Sequence, residues 1–413
     1  MIKKLVVYII YFWTIFIWRV SPLYASSLEY DNFFAEIIKK ENKAEKDTYL
    51  LFDCLYDKDA ENIDAYSLFL YMQDNGIKSN YVVLKESPLY EKLKKENKLD
   101  NIIGIDEYSK LNGWNFLQNI ADVLPHTKAI ITSFGTESVI DVYLKKLEYL
   151  KYIFIQHGQI YFKESVFHSG YLYPDKFPYI LASSKIEEFI LKKYGWNDQN
   201  IIKAGLPRWD LLKENIEYKQ EKSIFIMFTW RNTSPYFFSE TQYFNKLSSL
   251  LNSKKLHTFL KKHNIKVYFA PHHSLKTNSK INLDIEGIEG IEVIDTKHIS
   301  NYIRKSSLLL TDFSSVSFDF MFQDKPVILY GLDRGDRLLD KNQYMDLELL
   351  YKRRNIFPNI VFDEDEAIEL IKYYVKNDFK LQENIKQIYE LFFYTKESIR
   401  KRLVDEIEKI CKT

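Results

Sequence analysis

The feature that most constrains this chain is a repeated alternation: short apolar runs recur between amphipathic helical patterns along almost its whole length. In the first half the runs fall at 48–55, 80–84, 102–105, 129–133, 152–156, 179–182 and 201–204. Helical patterns at 64–75, stopped by Gly76, and at 184–194 lie between them. Runs that are apolar on both faces belong in the middle of a parallel sheet covered by helices, because an alternating strand would leave one face wet. The pattern restarts at 223–228, 266–270, 292–294, 308–310 and 326–330, with helical segments at 243–251 and 300–305. A charged, apolar-poor stretch at 214–222 separates the two series and reads as a linker. The expectation is an α/β chain of two Rossmann-type, doubly wound domains, 27–213 and 223–380, facing one another across a cleft. Segments 364–376 and 381–408 read as terminal helices that cross back over the first domain, with 381–413 as a C-terminal helical unit.

Length and composition agree with two cores, since 413 residues with 46% apolar content exceed what one core usually holds. Charge excludes more than it suggests. With 58 basic and 57 acidic residues the net charge is +1, which gives no field to attract nucleic acid. Cys54 and Cys411 are far apart and form neither a disulfide framework nor a zinc spacing, as expected of a reducing compartment. Lys3 and Lys4 precede an apolar run at 5–18, which is short of the about 20 residues needed to span a bilayer as a helix. An interfacial anchor, a buried first element and a signal-peptide core all fit this run. Tyr8, Tyr11, Phe12, Trp13 and Trp18 favour the first, so residues 1–26 are expected to associate with a membrane surface.

Several residues sit where a doubly wound fold places chemistry. Thr311, Asp312, Phe313, Ser314 and Ser315 follow the run at 306–310 and open a helical pattern, so their N–H and hydroxyl groups can seat an anion, or merely cap the helix. His157 ends a buried-strand pattern before Gly158, and His272 follows the run at 266–270 in the second half. A histidine at a strand tip can take a proton from an attacking hydroxyl, which contributes roughly 10²–10⁴ in rate, or can simply donate to a backbone carbonyl. Metal binding is the poorer reading of His272 and His273, because neighbours in an extended chain point to opposite faces and no carboxylate pattern completes a site. Arg208, in Gly205-Leu-Pro-Arg-Trp-Asp210, and Arg231, in Thr229-Trp-Arg231, carry forks suited to phosphate, with a salt bridge as the ordinary alternative.

In order and spacing, Gln156-His-Gly158, the 205–210 motif, Thr229-Trp-Arg231, Pro271-His272 and Thr311-Asp-Phe-Ser-Ser315 resemble the CDP-glycerol glycerophosphotransferases, which include the teichoic acid primases and polymerases. The likeness covers residues 130–371 and is most specific at 311–319 and 324–328. It implies a GT-B-like architecture, transfer of a phosphopolyol from a CDP-activated donor to a lipid-linked or polymeric glycan acceptor, and no metal or other cofactor. It also implies monotopic attachment to the inner face of the cytoplasmic membrane, where activated nucleotides are held. Carried across, His157 and His272 form the catalytic pair, while Arg208, Thr229, Arg231, Thr311, Asp312, Ser314 and Ser315 lie on the donor side. Family members commonly place a small residue, Pro, Leu and Lys after His-Gly, whereas here residues 159–162 precede Lys163. Phe228, His273 and Phe313 also depart from the usual pattern, which points to a divergent branch such as one serving a capsule.

Overall fold

A computed structural model describes residues 27–41, 43–55, 63–106, 113–134, 144, 147–161, 167, 172–214, 220–229, 241–271, 290–295, 299–332, 357 and 359–412. The expected N-terminal segment 1–26, His272 and Arg231 lie outside them. Seven strands form the first sheet: β1 (Thr48–Phe52), β2 (Ser79–Leu84), β3 (Ile102–Ile105), β4 (Thr127–Thr132), β5 (Lys151–Phe154), β6 (Tyr179–Ala182) and β7 (Ile201–Lys203). Their order is β3-β2-β1-β4-β5-β6-β7, all parallel. The second sheet comprises β8 (Ser223–Ile226), β9 (Lys266–Phe269), β10 (Ile291–Val293), β11 (Leu308–Thr311), β12 (Val327–Tyr330) and β13 (Ile360–Val361). Its order, β10-β9-β8-β11-β12-β13, repeats the first with one strand fewer. In each sheet the direction of winding reverses beside the first strand, at β1/β4 and at β8/β11, and ligands collect outside the carboxyl ends at such points.

The central strands carry little but apolar side chains because helices cover both of their faces. Leu50, Leu51, Ile130, Ile131 and Ile153 are fully buried, as are Leu308, Leu309 and Leu310 in the second sheet. A single apolar cluster runs from Tyr49 and Leu51 through Trp209 to Phe320 and Phe322, so the two sheets share a continuous core on one side. At its centre Trp209 stacks on Phe322 at 5.0 Å, and Phe393 meets both rings edge-on at 5.0 and 5.5 Å.

The last segment is helical in two pieces. Residues 381–408 do not form one helix; they divide into α12 (Glu383–Glu390) and α13 (Ile399–Lys412), numbering helices from α1 (Ser27–Glu41). Tertiary contacts break the periodicity. The intervening Phe392 and Phe393 turn into the shared core, Tyr394 donates its N–H to Ser183, and Ser398 takes a left-handed φ of 52°. Helix α13 then restarts with its first N–H groups capped from a distance. Asp210 accepts from Ile399 N at 3.1 Å and Arg400 N at 2.8 Å. Of the two segments expected to cross back, this helix does return over the first sheet, where Glu408 meets Tyr49 and, at 2.9 Å, Lys128, but Glu364–Lys376 does not: its Ala367, Ile368 and Ile371 pack into the core of the second sheet.

Candidate active site

The carboxyl ends of β1, β4, β5, β8 and β11 converge on a cleft of about 240 Å³ whose lining includes Asp53, Ser133, His157, Arg208, Ser315 and Asp319. Both sheets contribute to it. On the first side, Asp53 follows β1 directly and is buried, yet none of its oxygens goes wanting. It accepts from Ala65 N at 2.9 Å, Tyr66 N at 3.0 Å, Tyr81 Oη at 3.0 Å and Ser133 Oγ. It thereby caps helix α2 (Asp64–Asp74), whose own N-cap, Ile63, has no side-chain acceptor, and ties β1 to the end of β4 across the switch point. Burial raises its pKa, while these donors pull the other way.

His157 follows β5 after a sharp change of direction. Gln156 has φ 60°, a left-handed conformation that costs a non-glycine residue of order 1 kcal/mol and turns the chain out of the strand. The turn is held from behind by Glu187, which accepts from Ile160 N at 2.9 Å and Ser183 N at 2.7 Å. The exposed imidazole stacks on Phe134 at 4.3 Å and sets Nδ1 3.1 Å from the Ser133 carbonyl oxygen. A carbonyl can only accept, so this contact requires the proton on Nδ1 and makes Nε2 the basic nitrogen. Gly158 is needed for a different reason. A Cβ there would fall 2.6 Å from Ser315 Cβ, so only glycine lets this loop approach the second domain so closely.

Arg208 is 8% exposed and opens helix α6 (Arg208–Glu214). Its guanidinium grips Asp319 with a fork, Nε to Oδ1 at 3.0 Å and an Nη to Oδ2 at 3.2 Å. The other Nη donates to Asp64 Oδ2 at 2.6 Å and to the His157 carbonyl at 3.1 Å. Of the two readings open in the sequence, the structure shows the salt bridge: Arg208 pins the His157 loop to both domains. Trp209 Nε1 adds a bond to Asp319 at 2.7 Å. Burial opposes the charge on Arg208, but Asp319 and Asp64 outweigh it and raise the pKa. Asp64 is pushed up to about 7, chiefly by burial and then by Asp53 and Asp319, against the pull of Arg208.

In the second domain, Asp312 is 1% exposed and accepts from Thr229 N at 3.1 Å and Thr229 Oγ1 at 2.9 Å. Thr311 Oγ1 donates to the Met227 carbonyl. Thr311, Asp312 and Thr229 thus lock the ends of β8 and β11 together at the second switch point. Ser314 and Ser315 line the cleft ahead of helix α10 (Val316–Phe322), and the Ser314 carbonyl accepts from Ser317 N at 3.1 Å. The structure therefore brings His157, Arg208, Ser314 and Ser315 to one cleft, whereas Thr229, Thr311 and Asp312 are not in its lining and instead join the ends of β8 and β11. Sequence reasoning missed Asp53, Asp64, Ser133 and Asp319. The available signal was an acid at the end of the first strand and another inside the distinctive 311–319 segment.

Two parallel sheets of the same Rossmann order, facing across a cleft made of their strand tips, define a GT-B-like protein. The chain belongs to the CDP-glycerol:poly(glycerophosphate) glycerophosphotransferase family, which matches residues 56–409. Among curated relatives, the minor teichoic acid biosynthesis protein GgaB of Bacillus subtilis (strain 168) is 26% identical over 373 residues, covering 85% of this chain and 38% of that protein. The teichoic acid ribitol-phosphate polymerase TarK of Staphylococcus aureus (strain NCTC 8325 / PS 47) is 23% identical over 219 residues, 47% of this chain and 40% of that one. The chain thus spans about two fifths of the length of these relatives. Among solved structures, the wall teichoic acid polymerase TagF superposes with a TM-score of 0.61 at 18% identity over 94% of this chain and 99% of that chain. A putative UDP-N-acetylglucosamine 2-epimerase from Listeria monocytogenes does so with a TM-score of 0.56 at 12% identity, covering 89% and 96%. These two likenesses speak to the fold alone. Among the described residues, no helix is long and apolar enough to cross a membrane.

Proposed function

We propose that this chain transfers a phosphopolyol, glycerol phosphate or a close relative, from a CDP-activated donor to a glycan or polymer acceptor in the synthesis of a cell-envelope polymer such as teichoic acid or capsule. The observation that supports this reading within the family is His157, at a strand tip in the cleft with Nδ1 against the Ser133 carbonyl, which makes Nε2 its basic nitrogen. In the reaction an acceptor hydroxyl attacks the phosphorus next to the polyol. Its proton passes to His157 Nε2, the new O–P bond forms, and the P–O bond to CMP breaks in line with it. Ser314 and Ser315 take the donor phosphates, with Thr229, Thr311 and Asp312 bracing the strand ends that carry them. His272 and Arg231 complete the donor side, His272 steadying the charge that gathers on the departing phosphate. Arg208 serves by fixing the His157 loop. The acceptor binds on the side of the first domain, and residues 1–26 hold the enzyme at the inner face of the cytoplasmic membrane, near a lipid-linked acceptor.

The test has two arms. His157→Ala and His272→Ala proteins are assayed for CMP release and for mass added to the acceptor, and full activity in both would sink the assignment. Thermal shift with CDP-glycerol, CDP-ribitol, CMP and UDP-sugars then separates donors. Stabilisation by cytidine compounds supports the reading, and stabilisation by UDP-sugars alone replaces it with nucleotide-sugar chemistry, which the same cleft architecture also serves.

A further inference from the structure

Three buried carboxylates, Asp53, Asp64 and Asp319, line the cleft together with Arg208, and two of them are fully engaged. Asp53 accepts from four protein groups, and Asp319 accepts from Arg208 and Trp209. Asp64 differs. It is 3% exposed and lines the cleft, and its Oδ2 is taken by Arg208, but Oδ1 has no hydrogen-bond partner among the described residues. An oxygen so placed calls for a hydrogen-bonding partner from a ligand, because burial has removed it from water, and a hydroxyl can meet it as donor or as acceptor. Its surroundings say which kind. Asp53 and Asp319 add negative charge on either side, which disfavours a phosphate oxygen here and favours a neutral hydroxyl. The Arg208 nitrogen that holds Asp64 Oδ2 also holds the His157 carbonyl, so this carboxyl lies one guanidinium nitrogen away from the loop that carries the base.

We propose that Asp64 Oδ1 binds a hydroxyl of the acceptor's terminal polyol, adjacent to the hydroxyl that attacks, and so selects acceptors that end in a polyol. The inference rests on the transfer reaction proposed above. Asp64 here is a specificity-determining residue on the first domain, and the donor is left to the second.

The experiment uses CDP-glycerol as donor and two synthetic glycerol-phosphate oligomers as acceptors. One ends in glycerol, and the other ends in 1,3-propanediol, which keeps the attacking hydroxyl and lacks its neighbour. The wild type should favour the glycerol end by at least about tenfold in kcat/KM, as sites built to bond a hydroxyl do. Asp64→Asn keeps an oxygen for Arg208 and should shrink that preference to about threefold or less, with the KM for CDP-glycerol unchanged. A merely structural role would lower both rates and leave their ratio alone. Should Asp64→Asn fail to fold, Asp64→Ser and the wild-type ratio decide. A wild type indifferent to the missing hydroxyl, or a variant that retains the full preference, overturns the proposal. A wild type that extends neither oligomer while UDP-sugars stabilise it overturns the transfer reading beneath it instead.

Discussion

Adding a single methyl group at Gly158 tests whether the two domains meet as closely as the structure requires. The alanine Cβ would fall 2.6 Å from Ser315 Cβ. Carbon atoms rest at about 3.5–4.0 Å, so one of the two segments must give way by about 1 Å. Neither can do so cheaply. Gln156 is already in a strained conformation, the His157 carbonyl is tied to Arg208, and Ser315 leads straight into a buried helix. Overpacking of this kind costs about 1–3 kcal/mol, and a displacement of about 1 Å beside His157, the proposed base, costs on the order of 10²-fold in rate. Gly158→Ala should therefore lower the Tm measurably and cut CMP release about a hundredfold at saturating donor. The double variant Gly158→Ala, Ser315→Gly removes the opposing Cβ, and its Tm should recover by more than additivity allows, with a coupling of about 0.5–3 kcal/mol. Wild-type Tm and rate in the single variant, or strict additivity in the double, would refute the argument.

Four further outcomes are expected. His157→Gln should lose roughly 10²–10⁴ in turnover while donor binding by thermal shift persists, and a loss of binding instead would move His157 out of the base role. Arg208→Met leaves Asp64 and Asp319 without their shared cation and should destabilise by about 3–5 kcal/mol in chemical denaturation, whereas a surface ion pair would cost under about 1. Asp312→Ala strands the Thr229 donors and should cost about 1–3 kcal/mol, with weaker donor binding because the floor of the second switch point loosens. Finally, Asp64 has its carboxyl pushed up from the ordinary 3.8 to about 7, so the folded protein holds this proton more tightly than the unfolded chain. That contribution to stability is complete below about pH 4 and is lost as pH rises through about 7. The Tm of the wild type relative to Asp64→Asn should fall as pH rises from about 5 to about 7.5, and a constant difference would contradict the shift.

The fold was largely legible because each central strand is buried on both faces, which writes it into the sequence as an unbroken apolar run. Strand β13 escaped notice because Ile360–Val361 is too short to show any period. The break in 381–408 was hidden for another reason. What ends α12 is the pull of the Trp209 and Phe322 rings on Phe393, and what restarts the chain as α13 is a cap from Asp210, nearly two hundred residues upstream. Distance in sequence also explains Arg208. Its carboxylate partners lie 144 and 111 residues away, and no local pattern tells a guanidinium bound to Asp64 and Asp319 from one awaiting phosphate. His157, Ser314 and Ser315 were readable because strand tips face the cleft in any doubly wound sheet.

The stacked junction of Trp209, Phe322 and Phe393 has a mechanical meaning. It is dry and aromatic, and the returning helix α13 clasps it from the first domain, whereas the contact of Gly158 with Ser315 across the cleft is small. Prying the sheets apart at the junction would expose large rings to water, while parting the loops at the cleft exposes little. The cleft side is held differently, by charge: Arg208, the residue before Trp209, bonds Asp64 of the first domain and Asp319 of the second, so adjacent residues of one helix fasten the two sheets, one through rings and one through a guanidinium.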